Sequence, residues 1–135
     1  MEKVFLDTNI VIDLLAKRIP FYTDAQELFS RGDRKEVELC ISALTFANAY
    51  YSISKHHRDV EVKKYMSIFK VLVTVLPLED KSIELALAAD FNDFEDGLQY
   101  FTAINYGADV IITRNKKDFK NSFIPVMTAG EFLEK

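Results

Sequence analysis

The sequence predicts a doubly wound α/β fold: a three-layer α/β/α sandwich with a central parallel sheet of about five strands. Short apolar runs rich in β-branched residues alternate with longer segments whose apolar residues recur every three or four positions. Such alternation favours parallel strands joined by right-handed helical crossovers. At 135 residues, with 49% hydrophobic and 28% charged residues, the composition is that of a globular protein, and we expect residues 1–135 to form a single domain.

The chain opens with a strand that leads directly into a helix. The first strand and the first two helices are expected at residues 4–6, 8–15 and 21–32. Thr8 or Asn9 can cap the first of these helices with a side-chain oxygen. The second helix begins after a proline and is expected to stop at Gly32.

The middle of the chain repeats the pattern. Strands are expected at residues 37–41 and 71–76, and helices at residues 43–54 and 60–69. Ser42 can cap the helix that follows it. That helix is apolar almost all round, so we expect it to be largely buried. The strand at 71–76 is predicted from its β-branched residues and from the proline that ends it.

The last third contains the most strongly marked helix. Asp93 can cap a helix over residues 94–106, and Gly107 can end it in the left-handed conformation. The remaining elements are expected as a helix at 81–89, strands at 110–112 and 123–126, and a terminal helix from Thr128.

Composition also narrows the class of protein. No apolar stretch approaches the roughly 20 residues that a bilayer requires, so no membrane association is expected. The start of the chain lacks the apolar core of a signal peptide, and the lone Cys40 fits a buried position in a reducing cytoplasm. A net charge of -4 argues against a surface that coats nucleic acid, although Arg114, Lys116, Lys117 and Lys120 form a local basic cluster.

Acidic residues stand at the points where ligands bind in this fold. Asp7 ends the first predicted strand, and Asp118 follows the fourth strand after a turn beginning at Asn115. Ligands of doubly wound sheets bind beyond the carboxyl ends of the strands, where the strand order reverses. Asp96 lies in the first turn of the late helix, where the helix dipole alone would also favour an acid. We therefore expect Asp7, Asp96 and Asp118 to meet in one cleft.

Three converging carboxylates would raise one another's pKa unless a cation compensated them. Because the predicted ligands are all oxygens, the sequence indicates Mg2+ or Mn2+ and the metal-assisted hydrolysis of a phosphodiester. Asn48, in the middle of the apolar helix, must find a polar partner, which could be structural or part of this site.

Other chemistries fit less well. The sequence has no glycine-rich phosphate loop and no G-x-S-x-G motif. His56 and His57 are adjacent, so their side chains diverge and are not expected to form a zinc pair. An aspartyl-phosphate mechanism at Asp7 would need an acid two residues later, where Asn9 stands and cannot donate a proton.

Four segments of the chain together resemble the successive motifs of PIN-domain ribonucleases: FLDTNIVIDLL, ISALTFANAYY, DFEDGLQYFTA and VIITRNKKDF. The order and length are most similar to bacterial VapC-type toxins. The resemblance implies a metal-dependent endoribonuclease, an RNA substrate, an antitoxin partner and a homodimer.

Carried over by position, the resemblance implies that Asp7, Asp96 and Asp118 are the metal ligands and catalytic acids. The resemblance also implies that four smaller polar residues support these acids: Thr8, Asn9, Thr113 and Asn115. Asn48 departs from the family pattern, because it stands where these proteins usually have glutamate. An amide carries no charge and cannot act as a base, so the alternative is a PIN-like RNA-binding or protein-binding module with weak or no catalysis.

Overall fold

The computed structural model describes all residues from 1 to 135 and contains five strands and seven α-helices. The strands are β1 (Glu2–Leu6), β2 (Val37–Ser42), β3 (Thr74–Leu76), β4 (Val110–Ile112) and β5 (Val126–Met127). The helices are α1 (Thr8–Leu15), α2 (Tyr22–Asp33), α3 (Ala43–Ser54), α4 (Asp59–Lys70), α5 (Asp80–Ala88), α6 (Phe94–Tyr106) and α7 (Ala129–Glu134). A 3₁₀ turn covers Lys116–Phe119. None of the helices combines the length and the apolar character needed to cross a bilayer.

The five strands form one parallel sheet in the order β3-β2-β1-β4-β5. The chain moves outward from β1 to β3, then returns to the other side of β1 with β4. The strand order therefore reverses between β1 and β4, and this gap lies at the carboxyl edge where ligands bind in such sheets. The predicted doubly wound α/β/α architecture is confirmed.

Alternating residues of the central strand build a separate core on each face of the sheet. Val4 and Leu6 belong to the larger core, which also takes apolar residues from α1, α2, α3, α4 and α7. Phe5 points into the smaller core with Tyr100 and Ala103 of α6. This division follows from the two-residue period of a strand, and it fixes α6 on the face opposite α1 and α3.

Two predicted strands are shorter than the sequence pattern indicated. Val71 lies in the turn after α4 and is 85% exposed, so β3 begins only at Thr74. The last strand was expected at 123–126, but Phe123 is 94% exposed and β5 starts at Val126. In both places apolar residues precede the point at which hydrogen bonding to the neighbouring strand begins.

Glycines were expected to end α2 and α6, and only the one after α6 does so. Gly107 adopts the left-handed conformation (φ 78°) after α6, as predicted. Gly32 does not stop α2, which continues to Asp33, and Lys35 takes the left-handed position instead (φ 61°). A Cβ at Gly32 would lie 2.5 Å from Cδ1 of the buried Leu39, so this glycine permits the close approach of α2 to β2.

The expectation that α3 is largely buried is wrong. Only Thr45, Ala49 and Ile53 are buried, whereas Tyr51 is 68% exposed. One stripe of the helix packs inward, and the opposite face carries apolar side chains that meet solvent. Ser42 caps α3 as predicted, with its hydroxyl accepting from the Thr45 amide.

Candidate functional site

The candidate site forms where β1 and β4 end side by side. Leu6 pairs with Ile112 in the sheet, so the next residues, Asp7 and Thr113, leave the sheet together. The Asp7 amide donates to the Ile112 carbonyl oxygen (2.9 Å), and the Thr113 hydroxyl donates to Oδ2 of Asp7 (2.8 Å). The sheet itself therefore fixes the carboxylate of Asp7 at its carboxyl edge.

Asp7 is also the cap of α1. Its Oδ1 accepts from the Thr8 amide at 2.8 Å. We expected Thr8 or Asn9 to cap this helix, which is wrong because β1 passes directly into α1 and Asp7 is the last residue with extended backbone. Both oxygens of the carboxylate thus accept a hydrogen bond, and the side chain is held in one orientation.

The two other predicted acids are carried by separate elements. Asp96 is in the first turn of α6, and Asp118 is in the 3₁₀ turn that follows β4. Burial, followed by the negative charges of Asp118 and Asp7, raises the pKa of Asp96 to about 7. Asp7 and Asp118 are therefore close enough to Asp96 for their charges to act on its carboxyl group.

The cluster is open and is not a complete ligand cage. No group of three or more carboxylate, imidazole or thiol side chains in the chain is arranged to hold one metal ion together. Mg2+ commonly takes only one or two carboxylates directly and keeps several waters. The all-oxygen donors and the raised pKa of Asp96 fit a divalent cation bound in that way, since a positive charge would relieve the repulsion among the acids.

A buried hydrogen-bond network lies beneath the acids. Gln99 of α6 is 1% exposed, and its amide donates to the hydroxyls of Thr45 (2.8 Å) and Thr8 (3.4 Å). Its carbonyl oxygen accepts from Ser42 at 2.5 Å. The network therefore joins α1, α3 and α6. Sequence reasoning missed Gln99, although its place three residues after Asp96 puts it on the same face of α6.

Asn48 finds its polar partner on α6. Its Nδ2 donates to Oε1 of Glu95 at 3.1 Å, and both side chains are partly buried. Burial and the charges of Asp93 and Asp7 raise the pKa of Glu95, against the hydrogen bond from Asn48, which lowers it. The sequence analysis did not identify Glu95, because the neighbouring Asp96 matched the family pattern.

The smaller residues predicted to support the site contribute unequally. Thr113 binds Asp7 directly, and its hydroxyl also accepts from the Asn115 amide at 3.0 Å. Thr8 acts through its backbone amide on Asp7 and shares a hydroxyl contact of 2.8 Å with Thr45. The side chains of Asn9 and Asn115 form no hydrogen bond in the structure, so the expected support of Asp7 by Asn9 is not seen.

A partly buried ion pair links α1 to the segment that follows β4. Asp13 of α1 is 1% exposed, and its carboxylate lies 3.0 Å from Nε of Arg114 and accepts from Nη2 at 3.2 Å. Burial raises the pKa of Asp13, and the charge of Arg114 opposes that rise. The pair ties α1 to the segment that carries Asn115. From the sequence, Arg114 had been assigned only to a basic cluster.

Comparisons with known proteins agree with this geometry. A family model described as the PIN domain matches residues 3–117. Ribonuclease VapC1 of Aquifex aeolicus is 30% identical, over 99% of this chain and 95% of that protein. The chain belongs to the PIN-domain family.

Solved structures show the same PIN-domain fold. VapBC2 from Rickettsia felis, bound to a DNA fragment from its promoter, matches with a TM-score of 0.66 at 21% identity, over 93% of this chain and 96% of the other. A toxin-antitoxin complex from Klebsiella pneumoniae matches with a TM-score of 0.68 at 24% identity, over 93% and 97%. The family resemblance inferred from the four sequence motifs is thus confirmed.

Proposed function

We propose that this PIN-domain protein is a metal-dependent endoribonuclease, and that Asp7, Asp96 and Asp118 are its catalytic and metal-binding acids. The observation that supports the proposal is that Asp7 and Asp118 follow β1 and β4, between which the strand order reverses, and that their charges raise the pKa of Asp96. The full-length similarity to a protein named as a ribonuclease supplies the reaction class.

The donor chemistry supports Mg2+ or Mn2+ as the cofactor. The acids offer only oxygen ligands, which suit hard divalent cations. When bound, such a cation lowers the pKa of water and neutralises charge on a phosphodiester. In our proposal one or two of the three carboxylates would bind the cation directly, and the others would accept hydrogen bonds from its water shell.

The protein's own residues orient this chemistry. Thr113 and the Thr8 amide fix the two oxygens of Asp7, so Asp7 presents its carboxylate without a change of rotamer. Asp96 is carried by the first turn of α6, and Asp118 by the 3₁₀ turn that follows β4. Such preorganisation places negative charge before the substrate arrives and requires little rearrangement during reaction.

A polyanionic substrate needs cations near the acids. Lys117 and Lys120 line a small pocket of about 40 Å³ together with Asp118. In our proposal these two lysines neutralise RNA phosphates beside the site, since phosphate contacts supply most of the affinity for nucleic acids. The local basic cluster would then compensate for the net charge of -4.

The relatives suggest the partners. The similar structure from Klebsiella pneumoniae is a toxin-antitoxin complex. By analogy, we propose that this chain is the toxin of such a pair, that an antitoxin covers the acidic cluster, and that residues 1–135 act as one domain in a cytoplasmic homodimer.

The test is cleavage of a mixed-sequence single-stranded RNA by the purified protein with Mn2+, compared with EDTA. We expect cleavage by the wild type, none with EDTA, and a loss of at least about tenfold in Asp7→Asn, because loss of a metal-site group commonly costs that much. Asp33→Asn, an equivalent change at an exposed position at the end of α2, should retain full activity.

Thermal denaturation of each variant separates loss of activity from loss of fold. The nuclease proposal is wrong if the wild type does not cleave RNA with Mn2+ but binds RNA as tightly as Asp7→Asn does. The protein would then be the binding module that Asn48 suggested.

A further inference from the structure

The contact between Asn48 and Glu95 joins α3 to α6. The two residues are 47 positions apart in the chain, and the amide of one donates to the carboxylate of the other at 3.1 Å. Asn48 lies in α3 and Glu95 in the first turn of α6. The charge of Glu95 is therefore held on the side of the cleft that faces α3.

Glu95 and Asp96 reach the cleft from different directions. Adjacent residues on a helix are rotated by about 100° from each other. Glu95 contacts α3 through Asn48. Among the neighbouring charges, that of Asp118 in the 3₁₀ turn raises the pKa of Asp96 most. The charge of Asp7 raises the pKa of both carboxyl groups, so Glu95 and Asp96 both lie within the electrostatic reach of Asp7.

The amide at position 48 suits a neighbouring carboxylate better than a second acid would. A carboxylate opposite Glu95 at about this distance would repel it strongly, since two like charges 4 Å apart interact by about 4 kcal/mol even at an effective dielectric constant of 20. The amide Nδ2 instead donates a hydrogen bond and leaves one net negative charge on the pair. Oε1 of Glu95 is occupied by Asn48, and its other oxygen forms no hydrogen bond with the protein.

We propose that Asn48 and Glu95 act as one unit, in which Asn48 positions Glu95 so that its free oxygen supplies a fourth negative charge to the divalent cation or its water shell. This inference rests on the proposed metal-dependent function. It makes Asn48 a positioning residue and assigns to Glu95 the charge that is missing at position 48.

The first experiment measures Mn2+ binding by titration calorimetry, without RNA. Glu95→Gln keeps the size of the side chain and removes its charge, so we expect its Mn2+ affinity to fall about tenfold. Glu84→Gln makes the same change on the exposed face of α5 and should bind Mn2+ as the wild type does. Equal Mn2+ affinity in Glu95→Gln and the wild type would overturn the proposal.

A second experiment exchanges the two groups. The double variant Asn48→Glu with Glu95→Gln retains one amide and one carboxylate but reverses their helices. We expect it to recover most of the Mn2+ affinity that Glu95→Gln loses. A double variant as weak as Glu95→Gln would show that the pair does not act as a unit.

Asn48→Ala isolates the positioning role, because it removes the donor and keeps the carboxylate. We expect a smaller loss of Mn2+ affinity than in Glu95→Gln, and this variant decides the question if Glu95→Gln does not fold by circular dichroism. Should Asn48→Ala then bind Mn2+ as tightly as the wild type, the positioning role is refuted.

Failure of this inference can be told apart from failure of the proposed function. A wild type that neither binds Mn2+ nor cleaves RNA contradicts the function itself. A wild type that does both, with Glu95→Gln equal to it in affinity, contradicts only the role of Glu95.

Discussion

The carboxyl group of Asp96 shows how position changes the chemistry of a side chain. Its ordinary pKa of 3.8 is raised to about 7 by burial and by the charges of Asp118, Asp7, Asp93 and Glu95. Without a cation, a substantial fraction of Asp96 is therefore protonated at neutral pH. A cation that binds there competes with this proton, so its affinity should rise as the pH increases through 7.

The same shift makes a prediction for the stability of the metal-free protein. Between pH 4 and 7 the folded state binds the Asp96 proton more tightly than the unfolded chain does. The free energy of unfolding therefore falls as the pH rises. Above pH 7 Asp96 is ionised in both states, and the folded state carries the full penalty of its buried charge. Asp96→Asn removes this penalty. We expect its Tm in EDTA to exceed that of the wild type by about 3 °C or more at pH 8, and the two to converge near pH 4.

Asp33→Asn controls for the general effect of removing one negative charge from an acidic protein. It should shift the Tm much less than Asp96→Asn across the whole pH range. Parallel Tm profiles for Asp96→Asn and the wild type would contradict the assigned pKa.

At the residue scale, the sequence identified acids that follow strands but could not identify partners across helices. Asp7, Asp96 and Asp118 could be proposed as site residues because strand ends and a helix start are visible in the pattern. Gln99 and Glu95 were missed because their importance depends on contacts with residues of α3, which lie about 50 positions earlier in the chain. Asn48 was recognised as unusual, yet only the structure supplies Glu95 as its partner.

At the element scale, the approach of α2 to β2 depends on one missing side chain. Gly32 in the last turn of α2 leaves space for Leu39, whose Cγ would lie 2.9 Å from a Cβ at position 32. Because Leu39 is 2% exposed, it has little room to move. The helix and the strand must separate, or Leu39 must change rotamer, if a methyl group is added.

We therefore expect Gly32→Ala to lower the free energy of unfolding by about 1–3 kcal/mol, the usual cost of overpacking, despite the higher helix propensity of alanine. Urea denaturation measures this change. In a Leu39→Ala background the same substitution should cost much less, because the obstructing atoms are gone. If the free-energy costs of Gly32→Ala and Leu39→Ala were additive in the double variant, Gly32 would not serve to make room for Leu39.

The order and type of the elements could be predicted from the sequence, because periodicity and capping residues are local signals. The helix over 94–106, with Asp93 at its start and Gly107 at its end, was predicted to the residue. The starts of β3 and β5 were not. Val71 and Phe123 are apolar but lie in exposed turns, and nothing local distinguishes an apolar turn residue from one that pairs with a neighbouring strand.

At the scale of the whole molecule, the two cores share the strands between them. Val4 and Leu6 belong to one core and Phe5 to the other, so unfolding of the sheet would expose both cores. This arrangement was predictable from the alternation of strands and helices. The reversal of strand order between β1 and β4 also followed from the usual topology of such folds.

We expect residues 1–135 to unfold in a single cooperative transition. The chain has no tryptophan and six tyrosines, so near-ultraviolet circular dichroism reports on tyrosine packing, including Tyr100 in the smaller core. Its midpoint in urea should coincide with that of far-ultraviolet circular dichroism, which reports on helices. Two separated midpoints would contradict the single-domain interpretation.

The lone thiol of the chain lies on β2, beside the central strand of this sheet. Cys40 is fully buried in the smaller core, and burial, with the nearby charge of Glu38, raises its pKa to about 12. Since alkylating reagents attack the exposed thiolate, the native protein presents no reactive sulfur. A fluorescent or spin label attached to a cysteine introduced at the surface would therefore report from that position alone, without replacing Cys40.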